Sequence, residues 1–252
     1  MKNLHKYDQF FLEDFCVVEK LLETANLKKG DIVLEIGPGT GVVTRELAKQ
    51  VGRVVAIEID PGLAQALAKL PKNVEVIFGN ALLLMDKIKY NKIVSSLPSS
   101  IIEPLFKILV HKKFDVMMAL IPLKFVNKLQ GEVLSVYFET ELLEKVEPGA
   151  FHPQPKTNWA LVRITPKADP LKQKDYSRFI RKYLIDHPKA KLKNALMEAV
   201  IIIEKSEGKD ITKNQAREIV DKLNISRDQM EEIIDLKIDL SEIAEKILRV
   251  LT

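Results

Sequence analysis

The sequence predicts an α/β protein built on a mostly parallel sheet, followed by a smaller all-helical C-terminal domain. Three observations carry this. Over the first two thirds, short β-branched runs alternate with amphipathic stretches, the pattern of parallel strands joined by crossover helices. Three alternate glycines, Gly37, Gly39 and Gly41, fall between the first of these strands and the helix after it. Beyond Pro166 the β-type runs stop and only helical spacing remains.

Taken in order, an early amphipathic helix is marked by Phe15, Val18 and Leu22, with Cys16 read as a small core residue. Strands are predicted over 31–36, 53–59, 74–78, 92–97 and 114–121, and helices over 42–50, 61–70, 101–111 and 123–130. Two more strands, 133–146 and 159–164, follow with no helix between them and read as an antiparallel hairpin. Its long tip is the Pro-rich segment Pro148-Gly-Ala-Phe-His-Pro-Gln-Pro155. Five parallel strands closing on such a hairpin give the order of a Rossmann-like methyltransferase sheet, not that of a dinucleotide dehydrogenase. Helices are then predicted over 176–184, 192–205, 215–223, 229–234 and 243–251. Three carry N-terminal capping signals: Thr212 with Gln215, Ser226 with Gln229, and Asp239 with Glu242. The stretch Pro166-Lys-Ala-Asp-Pro170 is the expected boundary between a domain of residues 1–166 and one of 167–252.

Composition excludes several classes. With 46% hydrophobic and 29% charged residues, the chain of 252 is not wholly disordered. One cysteine, Cys16, excludes a disulfide framework and a cysteine-built zinc site. His152 and His187 have no second histidine at ligand spacing, so no metal is expected. No apolar run approaches the roughly 18–20 residues of a membrane span, and the N-terminus lacks the apolar core of a signal peptide. The expectation is a soluble, cytoplasmic monomer. Net charge is only +4, but residues 163–193 carry ten Lys/Arg against three acids, and residues 204–246 carry twelve acids against eight bases. Such asymmetry suggests one basic face for a polyanion. Lys189, Lys191 and Lys193 are the candidate phosphate contacts.

The glycine loop reads Glu35-Ile-Gly-Pro-Gly-Thr-Gly41. Glycines there let the backbone turn tightly and approach a ligand. Pro38 removes one N–H, which suits the loop poorly to a pyrophosphate. Glu58, near the end of the next strand, can accept both ribose hydroxyls of a nucleoside; Asp60 lies on the same strand face one step further out. Asn80, in Gly79-Asn80-Ala81, can bond an adenine amino group. The E-x-G-x-G-x-G spacing resembles the loop that binds S-adenosylmethionine. Phe151 at the hairpin tip is a candidate for stacking on nucleic acid, and Trp159 is divided between core packing and ligand contact.

Several segments together resemble the ribosomal RNA adenine dimethyltransferase family. Asp8-Gln9-Phe10-Phe11-Leu12-Glu13-Asp14 is similar to the family's N-terminal G-Q-x-F-L-x-D signature. Ser96-Leu97-Pro98-Ser99 stands in the place of its catalytic N-L-P-Y, and Phe151-His-Pro-Gln-Pro-Lys156 with Trp159-Ala-Leu-Val-Arg-Ile164 resembles its F-x-P-x-P-K-V run. Asp186-His187 and Lys191-Leu-Lys-Asn-Ala-Leu196 resemble the start of its helical domain. The resemblance implies S-adenosylmethionine as methyl donor, with Gln9, Leu12, Glu35, Gly37, Gly39, Gly41, Glu58, Asn80, Ala81 and Ser96 around it. It implies Ser96, Leu97, Pro98 and Ser99 as the catalytic segment, and Phe151, Lys156 and the three helical-domain lysines as RNA contacts. The implied partner is small-subunit ribosomal RNA in a pre-30S or pre-40S particle. Departures gather on the acceptor side. Serines replace the amine-binding Asn and the stacking Tyr, Phe10 and Asp8 alter the N-terminal signature, and Pro122 and Lys124 stand in a following stretch that usually carries Gln and Glu. A methyltransferase and a non-catalytic RNA-binding assembly factor on the same fold both remain open from sequence.

Overall fold

The computed structural model describes residues 9–232, 234 and 239–251; Asp8 of the N-terminal signature lies outside the described residues. Contacts divide the chain into two compact units. One comprises residues 1–130 and 138–166, the other residues 131–137 and 167–252.

The first unit opens with β1 (Phe11–Leu12) and α1 (Phe15–Glu23). Asp14 caps α1 by accepting the Cys16 N–H at 2.9 Å, and Val17, Val18, Leu21 and Leu22 face inward. Cys16 is exposed, contrary to its expected core position, because the buried stripe runs through its neighbours Val17 and Val18. The alternating units follow: β2 (Ile32–Ile36), α2 (Val42–Gln50), β3 (Arg53–Glu58), α3 (Ala64–Leu67), β4 (Val74–Phe78), α4 (Ala81–Leu84), β5 (Lys92–Ser96), α5 (Ser99–Leu109), β6 (Val116–Pro122) and α6 (Lys124–Gln130). The unit ends with β7 (Phe138–Val146), β8 (Phe151–His152) and β9 (Trp159–Pro166).

Seven strands form one sheet in the order β4-β3-β2-β5-β6-β9-β7, in which β9 runs antiparallel to both its neighbours and the first five are parallel. Strand order reverses between β2 and β5, the switch point where open α/β sheets bind ligands beyond their strand ends. There the two strands pair only through Val33 with Lys92 and Leu34 with Ile93. Further along, the Ile36 N–H donates to Ser95 Oγ at 2.8 Å instead of joining the ladder. At the opposite end, Lys92 Nζ lies 3.0 Å from Asp31 Oδ2 and donates to the Ala25 carbonyl, while Asn91 bridges Asp31 and Asp115. This polar knot holds the strands in register at one end and leaves a crevice at the other.

Strand β7 starts five residues later than the predicted 133. Val136, Tyr137 and Phe138 are buried in succession, which no half-buried strand pattern produces, and residues 134–136 form a short 3-10 turn. Residues 131–137 belong to the second unit, tied there by Lys167 Nζ to the Ser135 carbonyl (2.8 Å) and Tyr137 Oη to Asp186 Oδ1 (2.5 Å). The rest of that unit is helical: α7 (Tyr176–Asp186), α8 (Leu192–Ser206), α9 (Lys213–Asp221), α10 (Arg227–Glu231) and α11 (Leu240–Leu251). Its own apolar core includes Ile180, Leu184, Leu196, Val200, Val220 and Ile247. All three capping signals are realised, Thr212 with Gln215 as a reciprocal box. Among the described residues no helix is long and apolar enough to cross a membrane.

Candidate active site

The loop after β2 is shaped by backbone that few side chains tolerate. Gly39 has φ +57°, and a Cβ there would lie 2.9 Å from the Phe11 ring. Gly41 has φ +81° and begins α2. The Gly39 N–H donates to Glu58 Oε2 at 3.1 Å, and the Asp60 N–H to Oε1 at 2.8 Å. Glu58 is 2% exposed. Burial pushes its carboxyl above the usual range, backbone hydrogen bonds oppose the shift, and the Asp60 charge adds to it.

These groups meet at a cavity of about 60 Å³, lined by Gln9, Phe10, Phe11, Gly37, Gly39, Glu58, Ile59, Ser96, Pro98 and Trp159. Ser96 Oγ is buried and has no hydrogen-bond partner, whereas Ser95 is fully engaged by Ile36. Ligand pockets usually begin near 300 Å³; the Phe11 ring lying against Gly39 takes up room in this one. A larger cavity of about 470 Å³ adjoins it, sharing Gln9, Phe10 and Trp159 and adding Ser99, Pro122, Lys124, Pro153, Gln154, Pro155, Lys156 and Thr157. Ser96 and Ser99, three residues apart across Pro98, thus line one cavity each.

Other expected site residues lie elsewhere. Leu12 is 5% exposed, paired with Phe151, and lines neither cavity. Glu35 is buried beneath the loop, and Gly41 packs against Leu67 and Leu70. Asn80 is exposed and caps α4, its Oδ1 accepting the Leu82 N–H at 3.0 Å; Ala81 is buried behind it. Leu97 is fully buried, its N–H donating to the Leu120 carbonyl. Phe151 is a correction. It is 2% exposed, pairs from β8 with Leu12 of β1, and packs tilted against Trp159 with ring centroids 4.6 Å apart. A ring sealed between strands cannot stack on RNA. Trp159 is itself only 1% exposed. In the helical unit, Lys191 and Lys193 are paired with Glu231 (2.6 Å) and Asp221 (3.0 Å). Phe11 and Ile59 are lining residues that sequence reasoning missed; Ile59, directly after Glu58 and 48% exposed, could have been found as an apolar residue standing outside a strand end.

A crevice at the switch point of this sheet, with a glycine loop on one wall and a strand-end carboxylate on the other, is the construction of the Rossmann-like methyltransferases that take S-adenosylmethionine. The residues fit that group: Glu58 offers an acceptor at the ribose position, Gly37 and Gly39 leave the loop without side chains, and Ser96 Oγ is unengaged. Comparison with known proteins narrows the class. The family described as "Ribosomal RNA adenine dimethylase" matches residues 1–240. The chain is 34% identical over 217 residues to a protein of Methanococcus aeolicus named "Probable ribosomal RNA small subunit methyltransferase A", covering 79% of this chain and 80% of that one. It is 32% identical over 254 residues to the protein of the same name in Methanococcus vannielii, covering 94% and 92%. A dimethyladenosine transferase from Plasmodium falciparum shares the fold, with a TM-score of 0.63 over 96% of each chain at 20% identity. The chain belongs to the ribosomal RNA adenine dimethylase family, as an S-adenosylmethionine-dependent methyltransferase of ribosomal RNA. Among the described residues no group of three or more His, Cys, Asp or Glu is placed to hold a metal.

Proposed function

We propose that this enzyme transfers methyl groups to adenine amines of small-subunit ribosomal RNA, within an immature pre-30S or pre-40S particle, and works in the cytoplasm as a monomer. The observation that carries the reading is the pair of adjoining cavities, one walled by the glycine loop and Glu58, the other by Ser99, Lys124 and Lys156. The relatives' names supply the subunit.

S-adenosylmethionine held at the first cavity would supply an electrophilic methyl group on sulfur, and as the new N–C bond forms the S–C bond would break and release S-adenosylhomocysteine. Glu58 would accept its ribose hydroxyls, Asn80 at the start of α4 would offer its amide to the adenine, and Gln9 and Phe11 would cover it. Ser96 Oγ and the Leu97 carbonyl accept hydrogen bonds from the target amine and aim its lone pair. Pro98 fixes the chain directly after them. No group here need act as a strong base, because holding the amine in line supplies most of the rate; the amine proton leaves to solvent. Lys156 beside the second cavity and Lys189, Lys191 and Lys193 in the helical unit contact phosphates.

The test is transfer of labelled methyl to immature small subunits, with products counted per target adenine. Two methyls on each are expected. Glu58→Ala should weaken cofactor binding, read by calorimetry, by about 1.5–3 kcal/mol, the worth of hydrogen bonds to a charged group. RNA binding with no label transferred would replace this reading with that of a non-catalytic assembly factor.

A further inference from the structure

Phe10, Ser99, Pro122 and Lys124 are scattered over more than a hundred positions of the chain, yet all line the 470 Å³ cavity. At Ser99, the start of α5, the wall carries a hydroxymethyl group that offers no flat surface to a base. Two aromatic rings line the cavity among the described residues, Phe10 and Trp159. Trp159 is 1% exposed and closed off by Phe151 at 4.6 Å. Phe10 is only half-buried, and it meets Trp159 edge-on, at 6.0 Å between centroids and 71° between planes. That contact uses the edge of one ring against the other and does not stack the two face to face. Phe10 also lines the donor cavity, so it stands where a base entering the larger cavity would bring its amine toward the methyl group.

Resting on the reading that this site methylates adenine, we propose that Phe10 is the stacking residue for the target base, the role that Ser99 cannot fill. A purine against Phe10 is oriented by one flat face, and Lys124 and Lys156 on the rim suit the phosphate of that nucleotide. Free adenosine, without the phosphate, should therefore be a poor acceptor.

Three variants test it: Phe10→Leu, Phe10→Tyr, and the double change Phe10→Leu with Ser99→Tyr. Each is read by single-turnover methyl transfer to immature small subunits, by quenching of a fluorescent adenine analogue at the target position, and by cofactor affinity. Phe10→Leu should slow transfer about tenfold or more and abolish the quench, with cofactor affinity changed less than about threefold, since leucine has no ring on which the base can stack. Phe10→Tyr should regain most of both signals, and the double change should restore the quench from position 99. Phe10→Ile replaces Phe10→Leu if the latter loses its cooperative melt. Wild-type rate and quench in Phe10→Leu would overturn the inference while leaving the proposed function intact. So would a loss of transfer fully explained by weaker cofactor binding, which would assign Phe10 to the donor side. A wild-type chain that transfers no methyl would overturn the proposed function, and this inference with it.

Discussion

Glu35 sits in β2 just ahead of the glycine loop, wholly buried, and its Oε2 has no hydrogen-bond partner. Burial pushes its pKa from 4.5 up to about 8; Thr44 opposes the shift without reaching hydrogen-bond geometry, and the Glu58 charge adds to it. The protonated form is thus the one the fold prefers. With the folded pKa above the unfolded one, the stability Glu35 contributes is fully present below pH 4.5 and is lost as pH rises toward 8. Relative to Glu35→Gln, which cannot ionise, wild-type unfolding free energy should fall by about 1.4 kcal/mol per pH unit within that window. Urea melts of the two proteins at several pH values check this. Parallel curves would mean that Glu35 is ionised in the fold. The same scale separates Ser95 from Ser96. Adjacent and chemically identical, one hydroxyl closes the β2–β5 gap and the other is unengaged at the smaller cavity.

At the scale of elements, the crevice exists because β2 and β5 are tied at one end and parted at the other. The tie is the Lys92–Asp31 pair, with side chains 7% and 9% exposed, reinforced by the Ala25 carbonyl and Asn91. Burial alone would raise the Asp31 pKa, but hydrogen bonds from Asn91, Lys92 and Lys28 outweigh it and the net shift is downward. Lys92→Met strands a buried carboxylate and should destabilise the protein by about 3–5 kcal/mol in urea unfolding. A loss under about 1 kcal/mol would rank the pair with exposed ones. Adding Asp31→Leu to Lys92→Met should recover much of the loss, since no unpaired charge then remains. Strands β1 and β8 are the element-scale counterpart at the other end. Two residues each, they carry Phe11 over Gly39 and seal Phe151 against Trp159.

For the whole molecule, the charge excess of residues 163–193 exceeds the net charge of the chain, yet part of it is locally matched. Lys191 and Lys193 face Glu231 and Asp221, with side chains from 29% to 61% exposed. Exposed pairs of this kind are worth about 0–1 kcal/mol, little enough for RNA phosphates to compete with. Lys189→Ala, Lys191→Ala and Lys193→Ala together should weaken RNA binding and lower the slope of log affinity against log salt by about 2, if all three release counterions. An unchanged slope would return the cluster to an ordinary solvated face. The helical unit also depends on a segment far from it in sequence: Tyr137 donates to Asp186, which Lys182 also holds at 2.6 Å.

Much of this was legible residue by residue. Alternating apolar runs give strands and helices their order, Gly37, Gly39 and Gly41 mark a loop that only glycine forms cheaply, and Thr212, Ser226 and Asp239 announce helix starts, because each of these signals is carried by neighbours in the chain. Exposure and convergence are not carried that way. Phe151 reads as an exposed tip until β1 covers it, and residues 131–137 read as strand until the helical unit takes them up. Ser95 and Ser96 are indistinguishable until Ile36 chooses one. Only the tertiary structure brings positions 10, 99, 122 and 124 to one cavity, since which side chains share a cavity depends on strands and loops distant in sequence, whereas a turn or a cap is decided within a few bonds.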